Sequence, residues 1–377
     1  MTETTHGQEF DAPEAEQAWR ESLRVGLGHV REGDAGLGVP HLRKARALRA
    51  DDFPTLLNLA SALHRAGDHE EALSGFDEAL KVRPRSAAAH HGRGLALHSL
   101  GERMRALGAF RMAAYCDRDA WKSWHSIADL TPDEEDRGAA LDYAADALLR
   151  ECQRAGEGAA PRFECANALI DARRYREAES FVKWHMTRFQ RAPTAHDLLA
   201  RISYYRGDFE EALRHKEHAL LALAPEDVPA APNEKPFEPG AATDALRAIS
   251  GILTENGIEH FPVAGTLLGF VRNGGPLPHD RDVDIGIIRQ ADGSPDIAAI
   301  LREHPDTIMP RGARTGDRYF GFTFKGVAID IFLHDRLDGG LVCGVSDVAG
   351  DIQWRFSAFA LTAADFAGTQ WRVPDPA

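Results

Sequence analysis

The chain has 377 residues, 58 acidic against 44 basic side chains, and a formal net charge of −14, with 44% hydrophobic and 27% charged residues. That length exceeds one ordinary core and predicts two domains, while the composition excludes disorder of the whole. The acidic balance argues against a broad nucleic-acid-binding surface, which needs a basic excess to displace counterions. The four cysteines, Cys116, Cys152, Cys165 and Cys343, show no C-x-x-C pair and no zinc-knuckle spacing, so they are expected to be reduced thiols. The first residues, MTETTHGQEFDAPEAEQ, contain no apolar signal core, and no later run reaches the length of a membrane span. A cytoplasmic location is the expectation.

Residues 1–15 are predicted to be a flexible tail. From Trp19 onward the chain repeats itself. Gly33, Gly67 and Gly101 are spaced 34 residues apart, as are Ala45, Ala79 and Ala113. Between Phe53 and Arg85, Leu56, Leu59, Ala60 and Leu63 form the apolar stripe of one helix and Ala72, Phe76 and Ala79 that of a second, with Gly67-Asp68 as the turn. This period and pattern resemble the tetratricopeptide repeat, a helix-turn-helix unit. Near Thr131-Pro132 the register is lost, and residues up to about 158 read as an atypical helix pair or an insertion. It returns with Ala178 and Ala212, again 34 apart, giving five recognisable units over 16–223. Such a stack offers a concave face that commonly holds a protein or peptide partner; spacing or stabilising its neighbour is the alternative. Residues 224–240 hold five prolines and read as a semi-extended linker. The domain predicted over 241–377 alternates: helix 241–256, strand 259–264, helix 265–272, strand 282–288, helix 296–303, then strands near 318–325, 327–333 and 341–345. The fold class expected is therefore multidomain, an all-α solenoid followed by an α/β domain with a mixed sheet.

Chemistry concentrates in FPVAGTLLGFVRNGGPLPHDRDVDIGII, residues 261–288. Asp282 and Asp284 alternate with Val283 and Ile285, so on a strand both carboxylates share one face. An exposed edge strand gives the same pattern without a site. Three neighbours favour a site. Gly265-Thr266 opens a helix and offers free N–H groups and a hydroxyl suited to a donor phosphate. The Gly/Pro loop 273–278 is short enough to fold the acidic pair back over that turn. Asp330 lies inside a second apolar strand, KGVAIDIFL. Asp282, Asp284 and Asp330 would form a hard-oxygen site for Mg²⁺ or Mn²⁺, with Asp330 also placed to act as general base. Asp280, which could orient the loop or a second metal, His279 and Arg281, which could contact donor phosphate or base, and Lys325, a candidate charge stabiliser, are accessory; for the last three solvated surface is the commoner reading.

The motifs GTLLGFVR, PHDRDVDI, AIDIF and FAGTQWRVP, in this order, resemble the LicD/fukutin family of phosphotransferases within the nucleotidyltransferase superfold, over about residues 241–377. The resemblance implies transfer of a phosphorylated alcohol, such as phosphocholine or a phospho-alditol, from a CDP-activated donor to a sugar hydroxyl of a cell-surface glycan. It also implies a phosphate or clamping role for Arg272, for which a surface salt bridge is the alternative. His279 stands where the family usually has Trp, Arg281 where it has the middle Asp, and the family usually continues beyond the last motif. Plain nucleotidyl transfer to a small acceptor, and a repeat scaffold with an inactive terminal domain, are the competing expectations.

Overall fold

The computed structural model describes residues 12–156, 158–189, 192–223, 238–290, 295–366 and 368–375. Residues 224–237, most of the stretch read as a linker, fall outside these. By internal packing the chain divides into two compact units, 1–131 and 132–377.

The first unit is helical: α1 (Ala12–Glu32), α2 (Ala35–Leu48), α3 (Phe53–Ala66), α4 (His69–Val82), α5 (Ala87–Ser99), α6 (Arg103–Cys116) and α7 (Trp121–Leu130). Helix α1 begins inside the stretch read as a tail. Consecutive helices pack as antiparallel pairs because the interfacial side chains are small: Ala60, Ala72, Ala79, Ala89 and Ala96 are fully buried. Gly92 and Gly94 leave room for the rings of Phe76 and Phe110, which a Cβ at either position would strike. The turns need a left-handed residue, and Gly33, Gly67 and Gly101 supply it at φ +98°, +95° and +78°. Asp52 and Ser86 cap α3 and α5 through Thr55 N and Ala89 N.

The second unit opens with α8 (Glu134–Ala155), α9 (Arg162–Asp171), α10 (Tyr175–Trp184), α11 (Ala192–Tyr205) and α12 (Phe209–Leu221). The irregular stretch of the sequence, from Thr131 to about 158, is thus neither a helix pair nor an unstructured insertion but the single long helix α8. Cys152 and Cys165, distant in sequence, meet as buried thiols. The sequence reading put the domain edge at 224–240; packing puts the division at 131/132. The physical reason is that α8 to α12 are fastened to the α/β part by polar contacts that composition cannot show. The Arg137 guanidinium donates to the Arg311 carbonyl (2.6 Å), Tyr204 Oη donates to Asp351 (3.1 Å), and Glu134 faces Arg302 at 3.8 Å.

Arg173 adds a further tie. It donates to both carboxylate oxygens of Asp317 at 2.7 Å and to the Gly312 carbonyl at 3.1 Å. It sits one period before Gly207 and occupies the same left-handed turn position, at φ +60°. A residue with a Cβ is strained there, so the ion pair is kept against a backbone cost. Arg173→Ala retains the strain and loses the pair, an expected loss of about 1–2 kcal/mol. Arg173→Gly removes both and is expected to regain about 1 kcal/mol of it. Urea midpoints should therefore fall in the order wild type, glycine variant, alanine variant.

The α/β part comprises α13 (Pro239–Glu255), β1 (His260–Pro262), α14 (Ala264–Asn273), β2 (Asp282–Ile288), α15 (Ile297–Glu303), β3 (Thr307–Ile308), β4 (Tyr319–Phe324), β5 (Val327–Leu337), β6 (Gly340–Gly344), β7 (Gln353–Ser357), β8 (Leu361–Phe366) and β9 (Thr369–Pro374). Seven strands form one mixed sheet in the order β1-β2-β5-β4-β3, extended by β6 and β7 along the far end of β5. Strands β2 and β5 are parallel, and the remaining pairs are antiparallel. One sheet face carries Val283, Ile285, Ile287, Phe320, Phe322, Phe324, Ile329, Ile331 and Leu333, buried against α13 and α15. Period-two alternation sends Asp282, Asp284, Tyr319, Gly321 and Asp330 to the other face. The FAGTQWRVP motif forms much of the β8–β9 hairpin, whose Phe366 and Trp371 rings pack at a tilt against Phe270 of α14. That motif braces the helix from behind.

Candidate functional site

The parallel register pairs Asp284 of β2 with Asp330 of β5, and Asp282 lies one pleat away. One oxygen from each of the three carboxylates comes within 4.8 Å of the others. Burial pushes all three above the ordinary aspartate range. Asp284 is raised to about 7, first by desolvation and then by Asp282 beside it. Asp282 is raised by burial and Asp280, and Asp330 by burial against the opposing effect of its hydrogen bond from Tyr319. Three like charges held this closely call for a cation, and oxygen ligands suit a hard divalent one.

Gly265 and Thr266, read from the sequence as a phosphate cradle, are engaged with Asp284. The Gly265 N–H donates to its carboxylate at 3.1 Å, and the buried Thr266 hydroxyl accepts from its backbone N–H at 2.8 Å. The positive end of α14 therefore supports one acid of the trio. Gly265 has a steric reason too: a Cβ there would stand 2.8 Å from Asp280 Oδ2. That oxygen is buried with no hydrogen-bond partner, as expected of a group awaiting a ligand. Ala264, just before, is held at φ +44°, a strained conformation for alanine at the mouth of the site.

Other expectations fare differently. Arg272 is exposed on the last turn of α14, about 10 Å along the axis from Gly265, so the structure does not bring it to the carboxylates. Lys325 is not a charge stabiliser of the site. It forms, with Gly326, the two-residue turn between β4 and β5 and pairs with Asp306. His279 and Arg281 are exposed in the loop leading into β2.

Tyr319 was missed by sequence reasoning. Its hydroxyl donates to Asp330 Oδ1 at 2.8 Å, and Gly321, directly across from Asp330, leaves it room, since a Cβ there would lie 2.5 Å from the Tyr319 oxygen. The Lys325-Gly326 turn was the available signal, because a two-residue hairpin fixes the register that sets Gly321 against Asp330. Tyr319→Phe removes a bond to the charged carboxylate and should raise the Asp330 pKa further. Calorimetric Mn²⁺ affinity is expected to weaken more at pH 6 than at pH 8.

A mixed sheet bearing an acidic pair on one strand, a third acid on its parallel neighbour and a helix N-terminus against them defines a nucleotidyltransferase-type domain. The sequence model of the LicD/FKTN/FKRP nucleotidyltransferase domain matches residues 257–317, and a tetratricopeptide repeat model matches residues 51–120. The chain thus carries tetratricopeptide repeats followed by a LicD domain. The matched span includes Asp282 and Asp284 and ends before Tyr319 and Asp330. A search of the curated proteins gives no match. Similar solved structures include Pseudomonas aeruginosa pilF (17% identity, 54% of this chain and 90% of that one, TM-score 0.40). A tetratricopeptide repeat protein from Parabacteroides merdae (18%, 62% and 93%, 0.38) and YrrB, described as a TPR protein with an unusual peptide-binding site (18%, 50% and 93%, 0.35), are also similar. At these scores the likenesses carry no argument. LicD membership places the domain with transferases of the phosphotransferase type, and the repeats point to protein binding. Among the described residues, no helix is long and apolar enough to cross a membrane.

Proposed function

We propose that the C-terminal domain is a Mg²⁺- or Mn²⁺-dependent phosphotransferase that moves a phosphorylated alcohol from a CDP-activated donor to a sugar hydroxyl of a cell-surface glycan. The observation that carries this reading is the convergence of Asp282, Asp284 and Asp330 from two parallel strands, within a LicD domain. A divalent cation bound there supplies charge neutralisation for the donor's pyrophosphate and its leaving oxygen. Asp282, Asp284 and Asp330 would hold that cation, and Gly265 and Thr266 act by fixing Asp284. Asp330 takes the proton of the attacking hydroxyl, its second oxygen left to the substrate while Tyr319 holds the first. Arg272 is assigned no part in the transfer. The reaction is placed in the cytoplasm, and the repeats hold the protein or peptide partner that brings enzyme and acceptor together.

Purified chain incubated with Mg²⁺ and CDP-choline, CDP-ribitol or CTP tests the reading by phosphorus NMR. CMP released from a CDP-alcohol supports it. Pyrophosphate released from CTP alone would reassign the site to nucleotidyl transfer, and no turnover of any donor with a glycan acceptor would overturn both.

A further inference from the structure

A second cluster of metal-ligating side chains lies away from the carboxylates, on the last helical pair. His196 of α11 meets His215 and His218 of α12, and one ligand nitrogen from each falls within 4.8 Å of the others. Residues 215 and 218 are one turn apart and share a helix face. The Nδ1 atoms of His196 and His215 face one another at 3.1 Å, and the His196–His218 ring centroids are 5.1 Å apart. One N–H···N bond joins the first two nitrogens, and the exposed His218 ring packs edge-on against His196. A cation accounts for all three, because nitrogens each about 2.0–2.1 Å from a tetrahedral zinc ion stand roughly 3.3 Å apart.

The surroundings match such a site. The other nitrogen of His215, Nε2, lies 3.1 Å from Glu211 Oε1, and Glu211 is braced in turn by Arg214. A carboxylate behind the far ring nitrogen is the usual means of fixing a ligand histidine's tautomer and raising its basicity. The His215 side chain is only 12% exposed.

We infer that His196, His215 and His218 form a transition-metal site, selective for zinc-like ions over the hard cation of the carboxylate trio, that clips α11 to α12. Imidazole ligands suit Zn²⁺, Ni²⁺ and Cu²⁺, whereas Mg²⁺ prefers oxygen. The clip stiffens a pair whose connecting turn abuts the β6–β7 loop: a Cβ on Gly207 would strike Val348, and Tyr204 bonds Asp351.

Titration of the full, metal-stripped chain with ZnCl₂ by calorimetry, and with CoCl₂ by visible absorption, tests the site. One equivalent of Zn²⁺ is expected to bind with an intense tetrahedral Co²⁺ spectrum, unchanged in Asp282→Asn/Asp284→Asn. In the Asp282→Asn/Asp284→Asn background, where the carboxylates no longer compete for the ion, His196→Ala or His215→Ala should abolish both signals, and Glu211→Gln should weaken zinc about 10–100-fold. Far-UV dichroism of the metal-free variants reports whether they fold. Should an alanine variant unfold, the near-isosteric Glu211→Gln substitution, at a half-buried side chain, carries the test. Absence of stoichiometric zinc, or affinity unaltered in the histidine and Glu211 variants, would overturn the inference.

Discussion

Asp284→Asn is expected to abolish transfer, lowering kcat by about three to four powers of ten, while raising the melting temperature of the metal-free protein. The activity loss follows from removing a ligand of a cation asked for several kcal/mol of transition-state stabilisation, at about 1.4 kcal/mol per tenfold. The stability gain has the opposite origin. Without a cation, Asp284 is buried beside Asp282 and Asp330, and its pKa rises from 3.8 to about 7. Because the folded carboxyl holds its proton more tightly than the unfolded one, its contribution is fully present below about pH 4 and is lost as pH rises through 7. The asparagine variant lacks that slope. Scanning calorimetry from pH 4 to 8 should show wild-type stability falling and the variant's flatter, with a gap of a few degrees at pH 8, and Mg²⁺ should restore only the wild type. A variant that melts lower than wild type at pH 8 would contradict the reading of these acids as a strained, cation-seeking cluster.

Glu134→Ala carries the largest expected stability effect, about 3 kcal/mol, the low end for a broken buried pair because the Glu134 side chain is 35% exposed. Its carboxylate receives two bonds from Arg137, at 2.8 and 2.5 Å, and faces Arg302 at 3.8 Å, while the Arg137 and Arg302 side chains are only 2% and 9% exposed. Removing the acid leaves two desolvated guanidinium groups without that shared countercharge. For a unit of this size the loss corresponds to a melting-point drop of roughly 10 °C. Replacing Glu134 and Arg137 together by Leu and Met should recover much of it, since an apolar pair of similar volume needs no desolvation. Guanidinium denaturation of the two variants against wild type measures both effects. A single-variant loss below about 1 kcal/mol would show that water already compensates these charges.

Much of this architecture is visible in the sequence because it is written in short periods. The 34-residue spacing of Gly33, Gly67 and Gly101 announces paired helices, and alternation around Asp282 and Asp284 announces a strand with an acidic face. Asp330 stands out as a single acid in an apolar run. What escaped depends on pairing between distant segments. Tyr319 meets Asp330 only through hairpin register, His196 joins His215 and His218 only across a helix pair, and Cys152 reaches Cys165 the same way. Arg173 shows the subtlest case: the repeat pattern predicts glycine at its turn, and the departure makes sense only once Asp317 is seen opposite. The proline-rich stretch marked a change of composition, yet the ties from Arg137, Arg173 and Tyr204 decide what packs with what.

Those ties bear on how far the enzyme can be trimmed. The carbonyls of Arg311 and Gly312 and the carboxylate of Asp317 are held by Arg137 and Arg173, and the backbone reaches Tyr319 two residues later. A fragment excised at residue 238 would keep every acid of the trio but lose the splint on the segment that delivers Tyr319 to Asp330. The smallest piece that preserves the working alignment begins near residue 132, so five of the helices count as part of the catalyst's own chassis.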